Sequence, residues 1–210
     1  MSSNHKISII KKNNARVATS WAFIMNNSRI YVDFSLPVTT ITARTLIDVL
    51  VEKVPDSVNE LHLLINSPGG SVPVALGLAN FLESLPCKLI TYNISRCDSA
   101  AIMLFAAGEE RICVPEGTFF AHSVNIELSG QYSLDSLRME YLKLQQDYKS
   151  ILSYLSRKTS ISCRCWRNYM TEKGHVFSAQ EALTRGLATR IEELRIPQHT
   201  SLLTIHSQEN

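Results

Sequence analysis

Apolar residues at helical spacing mark two segments in the first half of the chain. One helix is predicted over residues 42–54, where the repeating positions are Leu46, Val49, Leu50 and Val54. Pro55 ends it, because proline lacks the N–H that a helix interior needs. A second helix is predicted over residues 72–85, directly after the turn sequence Asn-Ser-Pro-Gly-Gly at 66–70.

Short apolar runs lie between these helices and beyond them. They predict strands at 29–32, 88–94, 111–114 and 118–121, with a further apolar run at 61–65 and a strand signal at 17–25. Residues 100–107 are apolar on every side and are followed by Gly108, which is typical of a buried helix with a glycine stop. Strands that alternate with helices favour right-handed crossovers, and therefore a largely parallel sheet covered by helices.

A long helix with one apolar edge is predicted over residues 134–155. Its apolar positions advance by three and four residues and keep one seam along the helix: Leu134, Leu137, Tyr141, Leu144, Tyr148, Ile151 and Leu155. This seam either packs on its own domain or forms a projecting arm that pairs with another subunit. A later helix over 178–185 begins with a capping box formed by Ser178 and Glu181 and stops at Gly186.

Composition narrows the class of protein. The 210 residues are 45% hydrophobic and 19% charged, and the 21 basic and 19 acidic side chains nearly cancel to a net charge of +2. This is ordinary usage for one globular domain, with no basic patch for nucleic acid. No apolar stretch approaches the roughly 18 residues of a membrane span, and the first fifteen residues lack a signal-peptide core. We therefore expect a cytoplasmic protein.

The five cysteines have no regular spacing, which suits a reducing compartment. Cys163 and Cys165 lack a second pair at zinc-site spacing, so no metal site is expected.

Three features could support acyl transfer. Ser99 follows a strand and precedes the buried helix, where the Ala100 amide is free and the helix dipole favours negative charge. The alternative is that Ser99 is only a helix cap. Gly69 and Gly70 form a turn that could present main-chain amides to a carbonyl oxygen. His122 ends a strand where the chain leaves the core and could serve as a base, although such a histidine is usually structural.

The order of these motifs resembles the proteolytic subunit of the Clp (caseinolytic) protease. The similar stretches are INSPGGSV at 65–72, SRCDSAAIMLFAAG at 95–108, FFAHS at 119–123 and FSAQEALTRGLA at 177–188. The resemblance implies an α/β, crotonase-like fold of repeated β-β-α units with a projecting long helix. It implies a domain over 29–195 with a handle helix at about 133–157, between a divergent N-terminal segment at 1–28 and a C-terminal tail at 196–210.

The resemblance also implies a site. Ser99 is the nucleophile, His122 the general base, and the amides of Gly70 and Ala100 form the oxyanion hole. A substrate chain is expected to lie as an added strand in a groove formed by Gly69, Val72 and Asn125. By the same resemblance, the chain is a serine-type endopeptidase that hydrolyses peptides or unfolded proteins inside a homo-oligomeric ring, without a cofactor.

Two departures from the family bear on activity and partners. Gly174 stands where the family has its triad aspartate, and Glu172 is the candidate replacement. If neither Glu172 nor another group takes over from the aspartate, the Ser99–His122 pair is a slow dyad, or the chain is a weakly active or inactive structural paralogue in a mixed ring. The N-terminal segment does not resemble the family's axial-loop region, so an AAA+ ATPase unfoldase has little support as a partner. A crotonase-fold enzyme acting on an acyl-coenzyme A is a third interpretation, and it requires acidic residues near Ser99.

Overall fold

The computed structural model describes residues 8–9, 29–54, 57–198 and 200–205. The strand signal at 17–25 and most of the N-terminal segment lie outside these residues. The described strands are β1 Ser8–Ile9, β2 Arg29–Phe34, β3 Glu60–Ser67, β4 Lys88–Asp98, β5 Glu110–Cys113, β6 Thr118–Ala121, β7 His175–Ser178, β8 Arg190–Ile191 and β9 Leu202–Thr204. The described helices are α1 Thr40–Lys53, α2 Val72–Glu83, α3 Ala101–Ala106, α4 Leu134–Lys158, α5 Cys163–Tyr169 and α6 Ala179–Thr184.

The strands form one mixed, mostly parallel sheet in the order β1-β9-β2-β3-β4-β5-β8. The long strand β4 pairs with β5 through residues 90–93 and then with β6 through residues 96–98. Strand β7 extends this branch as the antiparallel neighbour of β6. The predicted parallel layer is therefore confirmed, and the second half of β4 carries the chain out to the position of Ser99.

The core lies between the sheet and the helices. All six residues of α3 are buried, as their uniformly apolar sequence predicts. The predicted helices over 42–54 and 72–85 are confirmed as α1 and α2 to within two residues at each end. Ser178 caps α6 by accepting a hydrogen bond from the Glu181 amide, which confirms the predicted start of that helix.

Helix α4 behaves differently along its length. Its C-terminal half packs against α2, α3 and α5, and there Ile151 and Leu155 are only 2% and 1% exposed. Its N-terminal half leaves Leu134 84% exposed and Tyr141 59% exposed. The seam therefore packs on its own domain at one end, while the other end is an unpartnered apolar surface in this chain.

Strand β9 lies within the segment predicted as a C-terminal tail, and it is part of the sheet. It pairs in parallel with β2 and antiparallel with β1, and Leu203 and Ile205 belong to the core. The tertiary structure thus continues beyond residue 196 at least to Ile205.

A polar aromatic cluster lies on β2, β3 and β4 around His62. The His62 ring stacks on Tyr31 at a centroid distance of 4.3 Å, and its Nδ1 lies 3.0 Å from the Tyr92 hydroxyl. Burial lowers the pKa of His62, while the nearby Glu60 carboxylate opposes this shift. Burial also raises the pKa of Tyr92 to about 12. His62 is thus a structural histidine within the sheet.

None of the helices described here is both long enough and apolar enough to cross a membrane.

Candidate active site

Ser99 lies at a sharp turn between β4 and α3. Its φ of +54° makes it the one non-glycine residue with a left-handed backbone among the described residues. Serine in this region is strained, and such strain persists only where the surroundings impose it. One constraint is visible: the Ser99 N–H donates to the Phe120 carbonyl at 2.7 Å. The N-cap of α3 is Ala100, without a side-chain capping bond, so Ser99 is not a simple helix cap.

The Gly69-Gly70 turn packs directly on this elbow. A Cβ added to Gly69 would lie 2.5 Å from the Asp98 carbonyl oxygen and 2.8 Å from the Ser99 Cβ. A Cβ on Gly70 would lie 2.3 Å from the Val38 carbonyl oxygen. Both glycines also have positive φ, at +88° and +149°. The two glycines therefore allow the main chain of the turn to reach the nucleophile.

Two main-chain amides at this junction have no acceptor. Within the described part of the chain, neither the Gly70 N–H nor the Ala100 N–H donates a hydrogen bond. Unengaged amides near a serine are the kind of donor that an oxyanion hole requires. The structure thus brings the predicted donors, Gly70 and Ala100, together around Ser99.

The orientation of His122 is set by the main chain. Its Nδ1 lies 2.7 Å from the carbonyl oxygen of Ser123. A carbonyl oxygen only accepts, so Nδ1 carries a proton, and in the tautomer with a single proton Nε2 is free to accept one. The Ser99 hydroxyl makes no hydrogen bond to His122 or to any other described residue. The ring is thus in the tautomer of a general base, although it does not hydrogen-bond to the Ser99 hydroxyl in this structure.

A side chain at the position expected for a triad aspartate would require its neighbours to move. Gly174 has a φ of +67°, and a Cβ there would lie 2.4 Å from the Phe120 ring and 2.9 Å from the Ala121 carbonyl oxygen. Glu172, the candidate replacement, is exposed and makes no hydrogen bond to His122 among the residues described.

The predicted groove residues differ in their surroundings. Val72 begins α2 and is only 7% exposed, with its side chain in the core. Asn125 is exposed in an irregular segment after His122. In the orientation that satisfies both of its polar groups, its amide nitrogen donates to the carbonyls of Ser123 and Val124 at 2.6 and 3.3 Å. Only Asn125 therefore presents a side chain at the surface.

The residues just before Ser99 supply no competing reactive group. The Asp98 carboxylate is buried and accepts a hydrogen bond of 2.7 Å from the Arg96 Nε, so the acidic group next to the serine is already paired. Cys97 is fully buried, and burial raises the pKa of its thiol well above the ordinary value. Within the described ranges, no group of three or more His, Cys, Asp or Glu side chains could hold a metal ion.

The arrangement of these motifs agrees with comparisons to known proteins. A family model described as Clp protease matches residues 12–195. The chain belongs to the Clp protease family. The resemblance stated from the sequence motifs is thereby confirmed.

Two relatives are proteolytic subunits. ATP-dependent Clp protease proteolytic subunit 1 of Rhodopirellula baltica is 36% identical over 76 residues, which cover 35% of this chain and 34% of the relative. ATP-dependent Clp protease proteolytic subunit 4 of Rhodococcus jostii is 30% identical over 132 residues, which cover 61% of this chain and 66% of the relative. The chain thus spans less than two thirds of the length of either Clp relative.

A solved structure supports the fold. A ClpP1 mutant from Listeria monocytogenes matches with a TM-score of 0.68 over 85% of this chain and 98% of that chain, at 16% sequence identity. At that identity the likeness concerns the fold alone, which is the α/β, crotonase-like fold expected for a Clp protease subunit.

Sequence reasoning missed two groups at this Clp-type site. The Ser123 carbonyl belongs to the main chain. Every residue has such a group, so the sequence does not single this one out. Phe120 had a weak signal, because it lies two residues before His122 on a strand and therefore shares its face.

Proposed function

We propose that this chain is a serine-type endopeptidase subunit with Ser99 as nucleophile and His122 as general base. The observation that carries the proposal is the strained Ser99 elbow, with the unengaged amides of Gly70 and Ala100 beside it. Strain of this kind at a residue flanked by free amides suits a nucleophile better than a structural turn.

The proposed chemistry uses only groups of this chain and water. The His122 Nε2 accepts the proton of the Ser99 hydroxyl as the oxygen attacks the peptide carbonyl carbon. The Gly70 and Ala100 amides donate to the resulting oxyanion. His122 then gives its proton to the leaving amine, the C–N bond breaks, and an acyl-enzyme remains. Water, deprotonated by His122, hydrolyses the ester and regenerates Ser99.

The Ser99–His122 hydrogen bond is expected to form on substrate binding. Catalytic hydrogen bonds are often long in free enzymes and tighten in the Michaelis complex. The Ser99 side chain is half-buried, so its hydroxyl can change rotamer toward the fixed His122 ring.

The proposed substrate is an extended peptide or an unfolded protein. Its main chain would pair around Asn125, where no described strand lies alongside, and with the groups of residues 69–72 that the bridge to Val38 leaves unused. Main-chain pairing tolerates many sequences, and this suits an unfolded substrate.

The proposed assembly is a homo-oligomeric ring in the cytoplasm. The exposed apolar half of α4 supports association with other copies, because large exposed apolar patches mark interaction sites. All five cysteines are free, which supports a reducing compartment. We propose residues 29–195 as the domain that carries the site, with β9 joining its sheet from outside these limits. No residue that the structure describes supports an ATPase unfoldase as a partner.

A fluorophosphonate probe tests the peptidase proposal directly. Assembled wild-type protein should be labelled on Ser99, and Ser99→Ala should remain unlabelled with the same thermal stability. Absence of labelling in the assembled protein would contradict the proposal. Labelling that persists in Ser99→Ala would place the nucleophile elsewhere.

The second candidate is a weakly active or inactive paralogue within a mixed Clp-type ring. The observation that favours it is Gly174, because a template serine protease loses roughly 10⁴ in turnover without a working triad carboxylate. Co-purification with a subunit that has the full triad would favour this candidate. Robust peptide cleavage by the pure homo-oligomer would exclude it.

A further inference from the structure

We propose that Phe120 is a positioning residue for His122, and that its ring together with the Ser123 carbonyl takes over the orienting task of the missing carboxylate. This inference deepens the proposed function and rests on it, because it concerns the same general base. It assigns a role to a strand residue whose type carries no chemistry of its own.

The Phe120 ring lies against the imidazole. The two ring centroids are 5.2 Å apart and the planes are inclined by 26°, which is a stacked arrangement. Phe120 and His122 are two residues apart on β6 and just beyond its end, so the pleat directs both side chains to one face. The flat contact restricts rotation of the His122 ring about its side-chain bonds.

The Ser123 carbonyl is also held in place. The Ser123 N–H donates to the Thr171 carbonyl at 3.0 Å, so the strand end is tied to the segment before β7. In the amide orientation that satisfies both of its polar groups, Asn125 donates to the same Ser123 oxygen that accepts the His122 Nδ1 proton. The acceptor of the histidine proton is thus anchored from both sides.

The Phe120 ring occupies the space that a side chain at residue 174 would need. The ring atoms of Phe120 lie 2.4 and 2.7 Å from the position that a Cβ on residue 174 would occupy. A carboxylate at 174 therefore cannot enter unless the Phe120 ring leaves its place against His122. Phe120 also lines an open surface cavity of about 530 Å³, so removing its ring leaves no enclosed void.

The two orienting devices differ in charge. A neutral carbonyl selects the tautomer as a carboxylate does, but it stabilises the imidazolium of the reaction less. The Ser99–His122 pair is thus oriented without full charge compensation, and the expected result is a correctly aligned but slow base.

Matched substitutions at Phe120 test the positioning role. Phe120→Leu keeps apolar bulk but removes the stack, whereas Phe120→Tyr keeps the ring. A small fluorophosphonate probe reports the reactivity of Ser99 without using the peptide groove. Phe120→Leu should slow its reaction about five- to tenfold, as expected for the loss of one aromatic contact. Phe120→Tyr should lose less, and Phe81→Leu, which removes a half-buried ring on α2, controls for altered packing.

A second pair of variants tests the exclusion between residues 120 and 174. Gly174→Asp alone should not speed the reaction, because the ring still fills the space. Phe120→Ala removes the ring atoms at 2.4 and 2.7 Å, so the side chain of Gly174→Asp then meets only the Ala121 carbonyl oxygen at 2.9 Å. The double variant should react at least about tenfold faster than Phe120→Ala, as expected for a restored carboxylate beside the base. Equal rates for these two variants, or a faster Gly174→Asp, would overturn the inference.

Histidine ¹⁵N spectra separate this inference from the peptidase proposal. The wild type should show His122 with its proton on Nδ1, assigned by loss of the signal in His122→Gln, whether or not the probe labels Ser99. In Phe120→Leu the signal should broaden or move toward the other tautomer. If the probe fails to label Ser99 but the spectra show both the Nδ1 proton and its change in Phe120→Leu, only the peptidase proposal is contradicted. An unchanged His122 signal in Phe120→Leu would overturn the positioning role.

Discussion

At the scale of single residues, Gly174 combines a left-handed backbone with crowded surroundings. Gly174→Ala should lower the free energy of unfolding by about 1–3 kcal/mol, because alanine disfavours positive φ and its Cβ meets the Phe120 ring. Urea denaturation measures the change. Gly77→Ala is the matched control: Gly77 lies in α2 with no atom within 4 Å of an added Cβ, and alanine there should stabilise by about 0.5–1 kcal/mol. Equal effects at the two sites would contradict the structure.

His62 makes a pH-dependent contribution to stability. Burial lowers its pKa in the folded chain below the ordinary value of about 6.5, so the unfolded chain binds more protons in this range. The free energy of unfolding should therefore fall as the pH drops through about 6.5, until the folded form is protonated as well. His62→Gln should flatten this slope between pH 7.5 and 5, as measured by urea denaturation at several pH values. The same slope in both proteins would show that His62 is not the group responsible.

The candidate site was predictable from sequence only where side chains carry the chemistry. Ser99 and His122 stand out by residue type and by motif order, and the structure places their segments side by side. The acceptor for the His122 proton was not predictable, because a main-chain carbonyl is set by backbone geometry. Glu172 was the natural candidate for that role from charge alone, but the segment around Gly174 leaves it exposed.

At the scale of elements, length and periodicity determined which parts could be predicted. Helix α4 was predictable because its seam repeats over many turns. Helix α5 has seven residues and strand β7 has four, too few for a period to emerge. Strand β4 was predicted to end at residue 94, yet pairing with β6 extends it through the polar, exposed Ser95 and Arg96 to Asp98. Pairing with a distant strand thus overrides local polarity.

The N-terminal half of α4 should govern association with other copies. Leu134→Lys combined with Tyr141→Lys places two charges on its exposed apolar surface, where burial against a partner would then be costly. We expect smaller particles by light scattering at micromolar concentration, with unchanged helical content. Ser153→Lys, at an exposed polar position on the same helix, should leave the particle size unchanged. A wild type that is monomeric at this concentration would contradict the proposed ring.

At the scale of the whole molecule, the sheet depends on its last described strand. Leu203→Ala should lower the free energy of unfolding by about 2–5 kcal/mol, because Leu203 is 1% exposed and its loss leaves a cavity in the core. Leu202→Ala, one residue earlier on β9 and only half-buried, should cost clearly less. Urea denaturation of both variants distinguishes a structural strand from a dispensable tail. Similar small effects would indicate that β9 contributes little.

The convergence of three main-chain segments at Ser99 has a consequence for the timing of activity. Gly69, Ser99 and Phe120 come from separate strand ends and meet only when β3, β4 and β6 are aligned in register. A nascent or misfolded copy therefore has the serine, but the serine is not in its strained turn and the Gly70 and Ala100 amides are not placed beside it. Under the proposed function, a newly made subunit would remain harmless to other proteins until its own sheet is complete.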